Sequence, residues 1–184
     1  MKTKKIICLY GGPGTGKSTT CAGLFYKLKL AGYECEMNRE YVKDWAWSGR
    51  QITEGDQSYF FAKMAMKERT YIKANLDFII TDSPLILTHF YGMKNDPFEQ
   101  TYNTSLKMLA NHHGFCKEKG YKVDHFFLER TKPYSDAGRY EDEDLSRQYD
   151  KEIKELLNEM NINFTSINCD KNCVDNIMSV LYKL

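Results

Sequence analysis

Eight consecutive residues, Gly11-Gly12-Pro13-Gly14-Thr15-Gly16-Lys17-Ser18, match G-x-x-x-x-G-K-[ST]. A β-prone run, Lys5 to Tyr10, leads into them and a helical face follows from Lys17. Glycines permit a tight turn that aims successive backbone N–H groups at phosphate oxygens, and the dipole of the following helix favours the negative charge. Lys17 is then expected at the β- and γ-phosphates and the Ser18 hydroxyl on Mg²⁺, with Thr19 placed for the α-phosphate. Gly12, Gly14, Thr15 and Gly16 supply the rest of the nucleotide cradle. A phosphate loop of this kind needs a strand before it and a helix after it, so it constrains the fold to an α/β class.

The remaining pattern agrees. Cys21, Leu24, Phe25 and Leu28 recur at helical spacing, and Gly32 is a plausible stop. Strands are expected at about 34–38, 76–81, 123–128 and 163–168, besides the first at 5–10. Helical stretches are expected at 41–47, 57–75 and 98–120, at the stretch marked by Leu145, Tyr149, Ile153, Leu156 and Leu157, and at a closing one from Val174 to Leu181. Five strands alternating with helices imply a parallel sheet covered on both faces, in one domain spanning 1–184. Ligands of such sheets bind at the carboxyl ends of the strands.

The 26 basic and 25 acidic residues leave a net charge of +1, so no global field draws the chain to nucleic acid or membrane. The basic Met1-Lys2-Thr3-Lys4-Lys5 is followed by only Ile6 to Tyr10 as an apolar run, too short for a signal sequence. Cys8, Cys21, Cys35, Cys116, Cys169 and Cys173 contain no C-x-x-C pair, which leads us to expect reduced thiols in a cytoplasmic protein. His89, His112, His113 and His125 show no ligand spacing.

Among phosphate-loop proteins, a GTPase requires D-x-x-G after its third strand and [NT]-K-x-D to read guanine. Here Asp82-Ser83-Pro84-Leu85 has Leu in place of Gly, and Thr131-Lys132-Pro133-Tyr134 has Tyr in place of Asp. A motor ATPase usually sets a Glu directly after the strand-ending Asp, and Ser83 stands there instead. A kinase needs a carboxylate for the acceptor's proton and mobile cations for the transferred phosphoryl group. Asp82 ends an apolar strand and could hold Mg²⁺ through water; Glu40 sits just past the second strand, on the same edge of the sheet.

The stretch from Glu129 to Asp144 is polar, basic and carries Pro133 and Gly138, a lid composition. Arg130, Arg139 and Arg147 are its candidate phosphate clamps, although Arg147 could equally pair with Glu143 one turn away. The acidic run Glu141 to Asp144 reads as a helix N-terminus. Trp45, Trp47, Tyr59, Phe60 and Phe61 cluster where an acceptor base could stack, with core packing as the alternative.

Taken together, Gly11–Ser18, Arg39-Glu40-Tyr41, Asp82-Ser83-Pro84-Leu85, and Glu129 to Tyr134 with Gly138-Arg139 resemble a family of phage and bacterial P-loop kinases. The family is related to the ribosylnicotinamide kinase domain, to deoxynucleoside kinases and to polynucleotide 5′-hydroxyl kinases. The resemblance implies a five-stranded parallel sheet in the order 2-3-1-4-5 and an arginine lid at about 130–147. It implies ATP and Mg²⁺ as cofactors, Glu40 as the base, and Gln57 as a partner for the acceptor base. Asp44 stays a minor candidate for the base, from the polynucleotide kinases. The expected activity is transfer of the γ-phosphate of ATP to a hydroxyl of a small nucleoside- or nucleotide-like acceptor. A DNA or RNA 5′-hydroxyl and a hydroxymethylated base in DNA remain alternatives, as does an ATP-hydrolysing regulatory protein.

Overall fold

In the computed structural model, which describes residues 4–53, 55–95, 99–135 and 139–182, the first strand runs through the middle of the sheet. The elements in chain order are β1 (Lys4–Tyr10), α1 (Lys17–Leu30), β2 (Cys35–Asn38), α2 (Val42–Trp47), α3 (Asp56–Lys73), β3 (Phe78–Thr81), α4 (Leu85–Asn95), α5 (Glu99–Glu118), β4 (Tyr121–Glu129), α6 (Glu143–Glu159), β5 (Thr165–Asn168) and α7 (Cys173–Tyr182). The sheet has five parallel strands ordered β2-β3-β1-β4-β5, the order that the resemblance implies. Phe98 and Gly138 lie outside the described residues.

Alternation along β1 decides which helices cover which face. Ile7 and Leu9 point into a cluster with Cys21, Leu24 and Leu28 of α1 and Ile177 and Leu181 of α7. Ile6, Cys8 and Tyr10 point the other way, into a cluster with Ile72 of α3, Leu87 and Phe90 of α4, Cys116 of α5, and Ile153 and Leu157 of α6. All six cysteines are buried and free. Among the described residues, no helix is long and apolar enough to cross a membrane.

Sequence patterning misses one helix, α4. Its residues Leu85, Ile86, Leu87, Thr88, His89 and Phe90 are all buried in succession. A helix turn enclosed on every side carries no amphipathic period, so the helical signal vanishes where the packing is tightest. The acidic run divides as well: Asp142 caps α6 by accepting from the Leu145 N–H at 2.8 Å, with Glu143 and Asp144 in the first turn. Glu141 stays outside the helix.

Candidate active site

β1, β2, β3 and β4 end at one edge of the sheet, and the loops leaving them build a single cavity of about 150 Å³. The phosphate loop forms its floor. Gly16 holds φ at +100°, and a Cβ there would lie 2.5 Å from Cys169 Sγ, so only glycine fits. A Cβ on Gly12 would meet the Ser146 carbonyl at 2.5 Å, because α6 packs directly against the loop.

Gly14, Gly16, Lys17, Ser18 and Thr19 line the cavity. Gly12 and Thr15 do not. The Gly12 N–H donates to Asp150 Oδ1 at 2.6 Å, which ties the loop to α6, and the Thr15 hydroxyl donates to the Gly12 carbonyl at 2.9 Å, which braces the loop internally. Lys17 Nζ donates to the carbonyls of Gly11 at 2.7 Å and Gly12 at 3.0 Å. Burial lowers the Lys17 pKa, opposed by the negative charges of Glu40, Asp82 and Asp150. An ammonium with only carbonyl partners, facing a cavity, suits an anionic ligand.

The carboxylates sit opposite. Glu40 lines the cavity, and burial raises its pKa; Lys17 works against that rise, while Asp82 and Glu141 add to it. Asp82 is 2% exposed and lies behind Glu40, accepting the Glu40 backbone N–H on Oδ1 at 2.8 Å. Two further groups that sequence reasoning missed face the same space. Glu141, left free by the cap at Asp142, lines the cavity with a pKa raised by burial. Tyr91 of the unforeseen α4 also lines it, its phenol pushed up by burial and then by Glu141 and Glu40. The signal for Glu141 was available: Asp142 three residues before Leu145 is a capping position, and whatever precedes a cap is not helical.

The three arginines separate. Arg139 lines the cavity and donates through Nε to the Ser135 carbonyl at 2.7 Å. Arg130 is buried against the outer wall of the phosphate loop, donating to Asp150 Oδ2 at 3.0 Å and to the Pro13 carbonyl at 2.8 Å. Its Nη1 is buried with no hydrogen-bond partner among the described residues and lies 3.1 Å from where a Gly14 Cβ would be. Arg147 is brought to neither place; it is exposed on α6 and pairs with Glu143 at 2.7 Å, one turn away.

Gln57 of α3 is 7% exposed and lines the cavity beside Phe60 and Met64. The tryptophans are not brought there. Trp45 is buried edge-to-face on Phe60 at 4.7 Å, with the Arg50 guanidinium 3.3 Å from its ring centre. Trp47 is 65% exposed, and Asp44 is exposed on α2. The Tyr140 hydroxyl donates to the Arg50 carbonyl and the Tyr134 hydroxyl to the Glu141 carbonyl, so the segment ahead of α6 is tied to the α2–α3 loop.

The sequence pattern of the AAA domain family matches residues 6–172, most of the chain. The chain belongs to that family. No curated protein matches it in sequence. Among solved structures, this AAA domain is similar to a NadR protein in complex with NR, at TM-score 0.67 and 14% identity, over 98% of this chain and 51% of that one. It spans about half the length of that protein. It is also similar to a deoxyadenosine kinase from M. mycoides with bound dATP, at TM-score 0.53 and 19% identity, over 96% and 98% of the two chains. At such identities the likeness shows the fold alone, and that fold is the P-loop kinase fold.

Proposed function

We propose that this chain is a kinase that moves the γ-phosphoryl group of ATP to a hydroxyl of a nucleoside- or nucleotide-like acceptor. One observation carries the reading: Lys17 and Ser18 of the phosphate loop share a cavity with Glu40, Gln57 and Arg139. Hydrolysis needs only a water beside the loop. A walled space with a carboxylate and an amide in it suits a larger nucleophile.

ATP would supply the phosphoryl group, and Mg²⁺ would supply positive charge to offset that of its phosphates. The residues fit both. The Ser18 hydroxyl and the Asp82 carboxylate are the hard oxygen donors that Mg²⁺ prefers, and the unpartnered Arg130 Nη1 lies beside the loop as a donor for an anion. Lys17 would exchange the Gly11 and Gly12 carbonyls for phosphate oxygens, which returns a negative partner to a desolvated cation. Glu40 would take the acceptor's hydroxyl proton on its carboxylate. Asp82, through the Glu40 N–H, holds that base in place. Gln57 offers an amide to a base edge against the apolar wall of Phe60 and Met64, and Arg139 faces the phosphoryl group from the lid.

The Tyr140 contact to the Arg50 carbonyl supports a small acceptor, because it ties a cavity-lining residue ahead of α6 to the α2–α3 loop. A deoxyadenosine kinase and a NadR protein bound to NR share the fold, in agreement with this. The buried free thiols suit a reducing, cytoplasmic setting.

The test is an acceptor screen with γ-labelled ATP over nucleosides, nucleotides, ribosylnicotinamide, and DNA and RNA oligonucleotides, at low and moderate salt. Label on a small acceptor is the expected result. A KM far lower for oligonucleotides and climbing steeply with salt would favour the polynucleotide reading. Acceptor-independent release of phosphate alone would favour the hydrolase.

A further inference from the structure

Away from the nucleotide cavity, three chemically different side chains converge in the interior between α3 and α5. Glu68 of α3 is 5% exposed, and His112 and Cys116 of α5 are 6% and 2% exposed. A carboxylate oxygen, an imidazole nitrogen and the thiol sulfur lie within 4.8 Å of one another. His112 and Cys116 stand four residues apart on one helix, so they share a face.

Hydrogen bonding accounts for only part of this cluster. His112 Nε2 is 2.6 Å from Glu68 Oε1, and Arg69 Nε donates to His112 Nδ1 at 3.4 Å while its Nη2 donates to Asn111 Oδ1 at 2.7 Å. An imidazole that accepts at Nδ1 carries its proton on Nε2 and gives it to the carboxylate. That arrangement satisfies Glu68 and His112, and it does not require a thiol. A second feature lies at the same cysteine. A cleft of about 330 Å³, lined by Cys116, His113, Asp124 and His125 among others, opens beside Cys116. Of the three residues it reaches Cys116 alone, so an ion would enter past that side chain.

We infer that Glu68, His112 and Cys116 form a site for a borderline-soft divalent cation, zinc by preference, with a water from the adjoining cleft as fourth ligand. Mixed sulfur, nitrogen and oxygen donors select zinc over the magnesium of the nucleotide site, which takes oxygen alone. Bonds of about 2.0–2.3 Å in a tetrahedron set the ligand atoms about 3.4–3.8 Å apart. The present spread must contract by about 1 Å at its widest, and the Glu68–His112 pair must open by a similar amount. Side-chain rotation covers both. On binding, the thiol proton leaves for solvent through the cleft. The imidazole proton passes from Nε2 to Nδ1, and Arg69, still held by Asn111, gives up its long contact. The ion then ties α3 to α5. Because Gln57, Phe60 and Met64 of α3 line the nucleotide cavity, it also steadies one wall of that cavity.

The experiment titrates the metal-free, reduced full chain with Co²⁺ as a spectroscopic probe and then with Zn²⁺. The expected result is one Co²⁺ per chain with a near-ultraviolet sulfur-to-cobalt charge-transfer band, which Zn²⁺ abolishes. Cys116→Ser should lose the band, and Glu68→Gln and His112→Gln should weaken binding at least ~10-fold. The double variant Cys169→Ser/Cys173→Ser removes two thiols that lie together on the opposite face of the sheet and should keep the band. Should Cys116→Ser fail to fold, alkylation of the wild-type chain read by mass spectrometry decides instead, with Zn²⁺ expected to protect Cys116 selectively. Absence of a sulfur–cobalt band in the wild type overturns the site. So does a band that survives Cys116→Ser or is lost with Cys169 and Cys173, or equal labelling of Cys116 with and without Zn²⁺.

Discussion

The Asp82 carboxylate accepts the backbone N–H of Glu40 at 2.8 Å, joining the end of β3 to the segment that follows β2. One carboxylate thereby holds the backbone of the other. Exchange of each should separate their roles. Glu40→Gln should keep nucleotide affinity and lose about 10²–10⁴-fold in kcat, the usual worth of a general base. Asp82→Asn keeps an oxygen for the Glu40 N–H and removes the charge, so it should raise the Mg²⁺ concentration needed for half-maximal activity. Nucleotide binding by calorimetry and kcat across a Mg²⁺ series check both. Equal loss of ATP affinity in the two variants would contradict the division.

Among the described residues, Lys17 hydrogen-bonds only to the carbonyls of Gly11 and Gly12. Lys17→Ala should abolish phosphotransfer while leaving the circular dichroism spectrum unchanged, because the fold does not depend on those two bonds. Wild-type turnover in this variant would remove the phosphate loop from the mechanism.

Burial first, then the neighbouring Asp82 and Glu141 charges, raise the Glu40 pKa, with Lys17 opposing. A base must be ionised to act, so the acid limb of kcat/KM should lie above the ordinary glutamate range. Glu141→Gln removes one of the raising charges and should move that limb to lower pH, whatever it does to the plateau. The same shift has a stability consequence. A carboxyl whose folded pKa is raised contributes most below its unfolded pKa and loses that contribution as pH rises through the folded value. Glu40→Gln should therefore raise Tm at pH 7 and leave it nearly unchanged at pH 3. A kcat/KM limb that does not move in Glu141→Gln would show that the two carboxyls do not interact.

Three aromatic and amide positions should behave differently. Gln57→Ala should raise KM for the acceptor while leaving KM for ATP unchanged, since Gln57 lines the cavity on α3, apart from the phosphate loop, and is proposed to meet the acceptor's base. Trp47→Ala should change neither, because its ring is 65% exposed and outside the cavity. Trp45→Ala should cost about 3 kcal/mol in urea unfolding, the usual loss for a buried ring, with Arg50 and Phe60 left facing a void.

Of the two arginines, Arg139→Ala should lower kcat, and Arg147→Ala should leave kcat and KM within twofold, since Arg147 is exposed on α6 and does not line the cavity. Steady-state kinetics of the two variants side by side decide between them.

Local signals determined much of this protein. The phosphate loop is a contiguous motif whose turn, strand and helix require one another, and it sets Lys17 and Ser18 beside the first strand. Apolar runs and helical spacing located all five strands and most of the helices. Glu40 and Asp82 follow their strands directly, and parallel strands must end at one edge, so their nearness follows from the order of the chain. Tertiary structure alone decided where side chains point. Glu143 one turn away marked Arg147 for solvent, but nothing local distinguishes Arg130 against the loop from Arg139 in the cavity. Trp45 and Trp47 sit on one short helix, and only its packing on α3 sends the first inward and leaves the second outside. Tyr91 reaches the cavity on a helix whose enclosure erased its period, and Glu68 meets His112 and Cys116 across more than forty residues of chain. Direction is a property of contacts made between distant segments, and those contacts exist only once the chain has folded.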